Sequence, residues 1–600
     1  MLAQLFRSRP TRFDLPLAIF LATAVLALLI AYDWLSALTK FAMLVFSVWL
    51  YYAITGGPRQ ALRDFPRYSS WLGALIAIYF LFTNSWQMAP ANFAPLQKAA
   101  RIWMAVTPQL PLPGIHPNQA GGLLAMLLPF ASLHIHHMRK KRQSSSLSTH
   151  HYLFAWMVGL IFIGGLLMTG SRGAWLSLFL AAILCLSWLG LGYFSRRISA
   201  FALAGLVVLC LLVLMLAGGW LLGDSAILHS LLDRFQNSTT INSRLDLYRD
   251  TLTLIADFPY TGSGLNTFPG LYSRYILSIP VVFFYYGHNL YLDLLLEQGP
   301  LALLAVLAIY LSTTYRLIKT TKLTLGSAQL YPEHRNETQP QSSRGLAQIS
   351  GFLPLALLAS LLTLLLHGLI DDPLYGTLGA PFLFLLPAMT IALDRFPNGD
   401  PAKAVSSRNT ASQSRLLQRG LLPLLAWAAL GLLFLIALIP TWRNTASANW
   451  YTNIGNISFA RYELISFPTG RWDEHSDVYR MARAQRWFDQ ALKFAPDHPA
   501  AHYRLGLIAS RLYDFPAAVY HFETAYQAGL DHKGVLKNLA YSYVWSGHLA
   551  TAMPLLVHIP EARSEMNAYT GWWRRLVQKE LSERAQQTVL ALENHARPSD

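Results

Sequence analysis

The sequence predicts an all-α protein: a polytopic transmembrane helical bundle followed by a soluble α-helical domain. Charged residues make up 13% of the 600 residues and apolar types 54%, whereas a soluble globular chain has about 25% charged residues. Long apolar runs such as 15–32 and 201–222 have the length of roughly 20 residues that crosses a bilayer. From residue 441 onward the chain is polar and has no such run. The predicted domains are therefore 1–440 and 441–600.

Hydropathy predicts about eleven spans, each helical because backbone amides in hydrocarbon need internal partners. With a cytoplasmic N-terminus, the segments that face inward carry most of the Lys and Arg residues between spans. The positive-inside rule thus predicts a cytoplasmic N-terminus and, after an odd number of spans, an extracytoplasmic C-terminal domain. This topology explains the net charge of +16 without nucleic-acid binding. The spans are 15–32, 36–54, 71–88, 118–135, 152–170, 174–193, 199–222, 289–316, 351–370, 375–394 and 420–440.

The C-terminal domain repeats itself at a spacing of 34 residues, which is the period of tetratricopeptide repeats. Only about two full repeats are legible, so the flanking segments must supply further helices. One interpretation is a helical cap without a ligand of its own. The other is a surface for a protein partner that the sequence does not identify. The pairs at this spacing are Phe488 and Phe522, Ala491 and Ala525, Leu505 and Leu539, and Ala518 and Ala552.

Arg172 is the first candidate site residue. It lies in Gly170-Ser-Arg-Gly-Ala-Trp175, a minimal link between two spans on the predicted outer side. The flanking glycines permit a sharp turn that brings the guanidinium close to a bound molecule. The alternative is an arginine that extends to lipid headgroups at the interface.

A second arginine, Arg244, lies in the long outer connection 223–288. The sequence predicts a helix capped near Asn242, with Arg244, Tyr248 and Arg249 near one face. Two arginines from different segments suit a diphosphate, because a guanidinium binds phosphate oxygens bidentately and keeps its charge. The alternative is a solvated face on which both arginines pair with aspartates of the same helix.

His288 is the candidate general base at the outer end of the eighth span. Asn289, Asp293 and Glu297 follow it at every fourth position and form one polar stripe on the predicted helix 289–316. Carboxylates in a bilayer are costly unless they face protein or water, so the stripe is expected to face a cavity and bind substrate. A histidine can remove a proton from an acceptor hydroxyl near neutral pH. A purely structural histidine is the alternative.

Two weaker candidates are His367 and Asp371, which either bind substrate or end a helix. The glycine-containing segment 259–268 is expected to form a kinked lid over the cavity. The sequence predicts no metal site and no cofactor, because Cys185 and Cys210, the only cysteines, lie in apolar runs and no other ligand set is legible.

Four segments together resemble the O-antigen ligase and O-antigen polymerase superfamily. The resemblance implies a bacterial inner-membrane glycosyltransferase that takes a glycan from a polyprenyl diphosphate on the extracytoplasmic side, without a metal and with inversion. It also implies that Arg172 and Arg244 bind the donor diphosphate and that His288 assists the acceptor hydroxyl. The repeat domain is a departure from the family pattern. The segments are Gly114-Ile-His-Pro-Asn118, Gly170-Ser-Arg-Gly-Ala-Trp175, Pro259-Tyr-Thr-Gly-Ser-Gly-Leu-Asn-Thr-Phe268, and His288-Asn-Leu-Tyr-Leu292 continuing to Glu297-Gln-Gly299.

The expected function is transfer of an assembled glycan from a polyprenyl-diphosphate donor to a glycan or lipid-core acceptor hydroxyl, among membrane lipids. A polymerase that joins repeat units and a protein O-glycosylating enzyme share these motifs, and both stay open. A transporter predicts polar stripes in several spans or an inverted repeat, and the sequence has neither. A membrane scaffold predicts that the two arginines and the histidine are dispensable for glycan display.

Overall fold

The computed structural model describes residues 10–84, 86, 94–107, 110, 112–143, 149–194, 239–277, 284–330, 341–376, 379–395, 440–467 and 478–596. Every regular element in these ranges is helical, which confirms the predicted all-α class. The predicted span 199–222, Cys210, nearly all of span 420–440 and parts of the long connection 223–288 lie outside the described residues.

The N-terminal part of the described chain is a helical bundle. Four of its helices are long and apolar enough to cross a membrane: Trp34–Thr55, Thr149–Met168, Arg172–Leu189 and Pro300–Lys322. These helices support a membrane protein, and the total of about eleven spans stays a prediction. The helices are α1 Asp14–Ile30, α2 Trp34–Thr55, α3 Arg59–Thr83, α4 Ala94–Val106, α5 Pro117–Gln143, α6 Thr149–Met168, α7 Arg172–Phe194, α8 Thr239–Asp257, α9 Phe268–Leu271, α10 Leu290–Gln298, α11 Pro300–Leu330, α12 Gln341–Gly368 and α13 Leu385–Arg395.

Two predicted spans are not single helices. The prediction of one helix over 289–316 was wrong, because α10 ends at Gln298 and α11 begins at Pro300. Gly299 between them has φ +79°, a left-handed conformation that breaks an α-helix and favours glycine. The predicted span 375–394 is likewise divided into a 3₁₀ turn, Ala380–Phe382, and α13.

The two ends of the bundle are built differently. At one end, the start of α1 is tied to the end of α2, since Tyr52 donates a 3.0 Å hydrogen bond to Asp14. At the other end, the segment after α8 packs on the bundle: the amide of Leu265 donates to the carbonyl of Ala27 at 3.1 Å. Arg461, from the C-terminal part, also reaches the carbonyl of Leu29 there, at 2.7 Å. The C-terminal part therefore sits at the Ala27–Leu29 end of the bundle.

The predicted lid 259–268 has a different role in the structure. The amides of Ser263 and Gly264 donate to the carbonyls of Leu296 and Glu297, at 2.7 and 3.0 Å. These carbonyls belong to the last turn of α10, where carbonyl oxygens have no N–H donor within the helix. Gly262 and Gly264 have φ +70° and +111°, so the glycines serve a close backbone approach to α10.

The C-terminal part is a series of antiparallel helix pairs. The 34-residue spacing recurs in the starts of equivalent helices, Pro499 and Lys533, and in the fully buried rings of Phe488 and Phe522. Phe488 packs against Gly455 and Phe522 packs against Gly506 in the preceding helix of each pair. The helices are α14 Pro440–Glu463, α15 Val478–Phe494, α16 Pro499–Arg511, α17 Phe515–Gln527, α18 Lys533–Trp545, α19 Leu549–Leu556, α20 Ala562–Arg575 and α21 Lys579–Ala596.

Candidate active site

His288 lies at the start of α10 and faces Asp371, which follows the end of α12. The imidazole Nδ1 is 3.2 Å from both carboxylate oxygens of Asp371. When the proton on Nδ1 donates to Asp371, Nε2 is the basic nitrogen of the ring. The Asp371 side chain is 1% exposed and the His288 side chain 18%. The pair thus combines a buried orienting carboxylate with a partly accessible base.

The backbone at His288 is held in an unusual conformation. Its φ is +52°, which is uncommon for a residue with a side chain and persists where surrounding contacts fix it. Tyr248 donates to the His288 carbonyl at 3.0 Å. The preceding amide, that of Gly287, donates to Asp293 at 2.6 Å. Two neighbouring side chains therefore set the direction of the imidazole.

Arg244 joins the same cluster from α8. Its Nη2 is 3.2 Å from Asp371, and its Nη1 donates to the carbonyl of Ile370. A guanidinium has five N–H donors, so three remain for a ligand. The helix starts at Thr239, so the prediction of a cap at Asn242 was wrong. Arg244 pairs with Asp371 rather than with an aspartate of its own helix.

Arg172 begins α7 next to this cluster. Gly170 has φ +59°, as the predicted sharp turn requires. A Cβ at Gly173 would lie only 2.9 Å from a side-chain carbon of Ile370, the residue whose carbonyl Arg244 binds. The link that carries Arg172 therefore packs against the segment that carries Asp371. Arg172 is exposed, and no side chain among the described residues pairs with it.

The predicted polar stripe of α10 faces the protein interior. Asn289 caps the helix by accepting from the amides of Tyr291 and Leu292, at 3.0 and 3.1 Å. Asp293 is buried and holds the Gly287 amide. Glu297 forms a buried ion pair with Lys40 of α2 at 2.6 Å. The structure thus gives these three residues contacts within the protein, and their predicted substrate binding stays untested.

Two further predicted substrate-binding residues, Arg249 and His367, are not part of the contacts among Arg244, His288 and Asp371. Arg249 projects from α8 toward Asp531 of the C-terminal part, at 3.8 Å, with both side chains exposed. His367 is fully buried and packs against Gly122 of α5. Neither ring nitrogen of His367 has a hydrogen-bond partner among the described residues.

The structure adds His116 and Tyr286, which sequence reasoning did not select as site residues. The ring centroids of His116 and Tyr286 are 5.8 and 4.4 Å from that of His288. His116 Nδ1 accepts from the amide of Asn118 at 3.3 Å, so the residue also helps to start α5. The His-Pro-Asn order before a predicted span was the available signal, since it is a plausible helix start with a titratable side chain.

The charges of the cluster fix the ionisation of Asp371. Burial alone would raise the pKa of Asp371, but the hydrogen bond and charge of His288 and the charge of Arg244 outweigh it and lower the pKa below the ordinary range. Asp371 is therefore ionised at physiological pH. Burial lowers the pKa of His116, and the charge of Asp371 opposes this only in part.

Within the ranges that the structure describes, no group of three or more His, Cys, Asp or Glu residues is placed to hold a metal ion. The polar groups in contact are an arginine, an imidazole and a carboxylate, and Arg172 lies on the adjoining link. Such groups can bind an anion, orient a base and stabilise a negatively charged leaving group.

Residues 156–307 match the family model for O-antigen ligases. The matched region covers less than half of the chain and contains Arg172, Arg244 and His288, whereas Asp371 lies outside it. No curated protein matches the chain. The O-antigen ligase match supports a membrane glycosyltransferase of the ligase or polymerase type.

Proposed function

We propose that the protein is an O-antigen ligase-like enzyme that moves a glycan from a polyprenyl diphosphate to an acceptor hydroxyl on the extracytoplasmic face. The observation that carries this proposal is the cluster itself. Arg244, His288 and Asp371, from three distant parts of the chain, are in direct contact, and the link with Arg172 packs beside them. The family match over 156–307 agrees with this assignment.

The proposed reaction is a single displacement. The acceptor hydroxyl gives its proton to Nε2 of His288 while its oxygen bonds to the anomeric carbon of the donor glycan. The bond from that carbon to the diphosphate oxygen breaks, and its electron pair leaves with the diphosphate. Attack opposite the leaving group inverts the anomeric configuration.

The arginines stabilise the charge that develops on the leaving group. Arg244 keeps three N–H donors after its contacts with Ile370 and Asp371, and the exposed Arg172 keeps all five. Preorganised donors of this kind are worth about 3–4 kcal/mol each when they act on an oxyanion. Two guanidinium groups therefore suffice for a departure that other enzymes assist with a divalent ion.

The location of the cluster favours a lipid-borne donor. It lies where α7, α8, α10 and α12 begin or end, at the same end of the bundle as the C-terminal domain. A polyprenyl tail can stay in hydrocarbon there while its diphosphate reaches the arginines. The C-terminal domain is proposed to be a tetratricopeptide-like array, on the 34-residue recurrence of its buried phenylalanines and alanines.

Glycan analysis in a deletion strain tests the proposal. The wild-type gene should restore glycan transfer, whereas Arg244→Ala and His288→Ala should not, although both variants insert into the membrane at wild-type levels. Long glycans that accumulate on the lipid carrier would indicate a ligase, and single capped repeat units would indicate a polymerase. Normal glycan display with both variants would overturn the proposal and favour a scaffold.

A further inference from the structure

We propose that the C-terminal domain positions the active site by binding the chain's own segment 272–277, in which Tyr272–Ile276 form a π-helix. The surface that binds this segment, here called the segment-binding face, consists of Tyr503, Arg504, Gly534 and Lys537. This inference rests on the proposed function for its catalytic consequence. It assigns the domain an intramolecular partner instead of an external one.

Direct contacts with segment 272–277 define the segment-binding face. Tyr503 donates to the carbonyl of Tyr275 at 2.9 Å, and Lys537 donates to the carbonyl of Leu277 at 3.0 Å. The guanidinium of Arg504 lies over the Tyr275 ring, 3.7 Å from its centroid. These residues come from the first helices of two successive pairs, α16 and α18. Stacked helix pairs of this kind form a continuous surface that repeat proteins use for binding.

The segment-binding face allows a close approach of the backbone at Tyr275. A Cβ at Gly534 would overlap the carbonyl oxygen of Tyr275, so only glycine permits the approach that the structure has. Tyr275 and Ile276 are 1% and 0% exposed. Their apolar core is continuous with Phe459, Phe488 and Phe522 of the C-terminal domain. The segment is therefore a built-in part of the domain's interior.

Two buried ion pairs lie at the same contact. Arg504 pairs with Asp257 at the end of α8, and the Arg504 side chain is 0% exposed. Lys537, 1% exposed, pairs with Glu565 at 2.6 Å. A buried arginine or lysine is costly unless its partners are fixed in place, so these two side chains hold α8 and segment 272–277 in one arrangement.

The held segments are close in sequence to residues of the candidate active site. Helix α8 carries Arg244 and Tyr248, and Leu277 precedes His288 by a short stretch of chain. Tyr248 and the turn at His288 are themselves in contact. A catalytic geometry that shifts by about 1 Å can lose about a hundredfold in rate, so release of segment 272–277 is expected to slow transfer without abolishing donor binding.

A matched pair of glycine substitutions tests the inference in the full-length protein. Gly534→Ala places a methyl group where the Tyr275 carbonyl lies, whereas Gly571→Ala on α20 meets nothing within 4 Å. Hydrogen exchange should accelerate at least about tenfold at 272–277 in Gly534→Ala only. Glycan transfer in native membrane vesicles should fall about tenfold or more, while the affinity for undecaprenyl diphosphate changes less than about twofold.

A second pair of variants covers the case in which Gly534→Ala does not fold. Lys537→Met with Glu565→Gln removes the contact to Leu277 and leaves no buried charge. Lys533→Met with Glu561→Gln is its control, because Lys533 also lies on α18 and Glu561 is the cap residue that directly precedes α20. The first double variant should reproduce the loss of protection and of transfer, and the second should not.

The inference fails if exchange at 272–277 is unchanged in both test variants, or if exchange accelerates while transfer stays at the wild-type rate. Failure of the proposed function looks different. In that case Arg244→Ala and His288→Ala transfer glycan normally, although Gly534→Ala still releases segment 272–277.

Discussion

At the scale of single residues, the candidate active site depends on Asp371, which contacts both His288 and Arg244. Its sequence neighbourhood gave no preference between a site residue and the end of a helix. The pairing could not be read from the chain, because 83 residues separate it from His288 and 127 separate it from Arg244. Residue types predicted the chemistry of the arginines and the histidine, but only the fold supplies the carboxylate that orients them.

Asp371→Asn tests this role. The neutral amide of asparagine accepts a weaker hydrogen bond from Nδ1 than a carboxylate does, and it does not neutralise the charge of Arg244. Glycan transfer should therefore fall about a hundredfold or more. Asp394→Asn is the control, because Asp394 pairs with Arg316 at the opposite end of the bundle; that variant should transfer normally. Wild-type transfer by Asp371→Asn would exclude the orienting role.

The low pKa of Asp371 gives a pH prediction. A carboxylate with a depressed pKa stabilises the fold above its ordinary pKa and loses this contribution only as pH falls through the lowered value. Its charge is thus constant from pH 6 to 8. Infrared difference spectra of the wild type against Asp371→Asn should therefore show no protonated-carboxyl band from Asp371 between pH 6 and 8. A carboxyl band that grows as the pH falls from 8 to 6 and is missing from the variant would contradict the assignment.

Arg172 allows a clean separation of function from stability. The residue is exposed, so Arg172→Ala should change the free energy of unfolding by less than about 0.5 kcal/mol. Transfer should nevertheless fall about a hundredfold, because a cation beside the leaving diphosphate is lost. Melting in detergent and transfer in membranes measure the two effects. Normal transfer would favour the alternative of an interfacial arginine.

At the scale of elements, hydropathy predicted both ends of α1, α2, α6 and α7 to within three residues, since an apolar run of membrane length has few alternatives. It failed at Gly299-Pro300, where the apolar pattern continues through a backbone break. A glycine within a hydrophobic run does not reveal its φ. The break has a consequence, because it makes α10 a separate short helix whose Glu297 meets Lys40 of α2.

The ion pair of Lys40 and Glu297 tests the substrate-binding role predicted for Glu297. Lys40→Met leaves a buried carboxylate unpaired and should cost about 3–5 kcal/mol. Lys40→Met with Glu297→Gln should recover most of this stability, as measured by thermal unfolding in detergent. If Glu297 is structural, the double variant also recovers transfer. A stable but inactive double variant would restore the substrate-binding interpretation.

At the scale of the whole molecule, the cluster and the C-terminal domain lie at the same end of the bundle, joined through 247–277. The charge pattern between the spans predicts that this end is extracytoplasmic. The 34-residue repeat was legible in the sequence because equivalent packing positions need equivalent side-chain sizes. The partner of the repeat was not legible, since it is a distant segment of the same chain.

Accessibility of introduced cysteines tests the orientation. A membrane-impermeant thiol reagent should label Asp531→Cys in intact spheroplasts, because Asp531 is exposed in the C-terminal domain. Arg142→Cys, at the predicted cytoplasmic end of α5, should react only after permeabilisation. The reverse pattern would place the cluster in the cytoplasm and remove the proposed donor from its reach.

The binding of undecaprenyl diphosphate to the purified protein tests the central claim most directly. If Arg172 and Arg244 hold one diphosphate, each alanine variant should weaken binding at least about tenfold. The double variant should then lose less than the sum of the two single effects, as expected for groups that share a ligand. His288→Ala should bind the lipid normally and fail only in transfer. Wild-type affinity in both arginine variants would show that the two side chains serve different sites and would contradict the account.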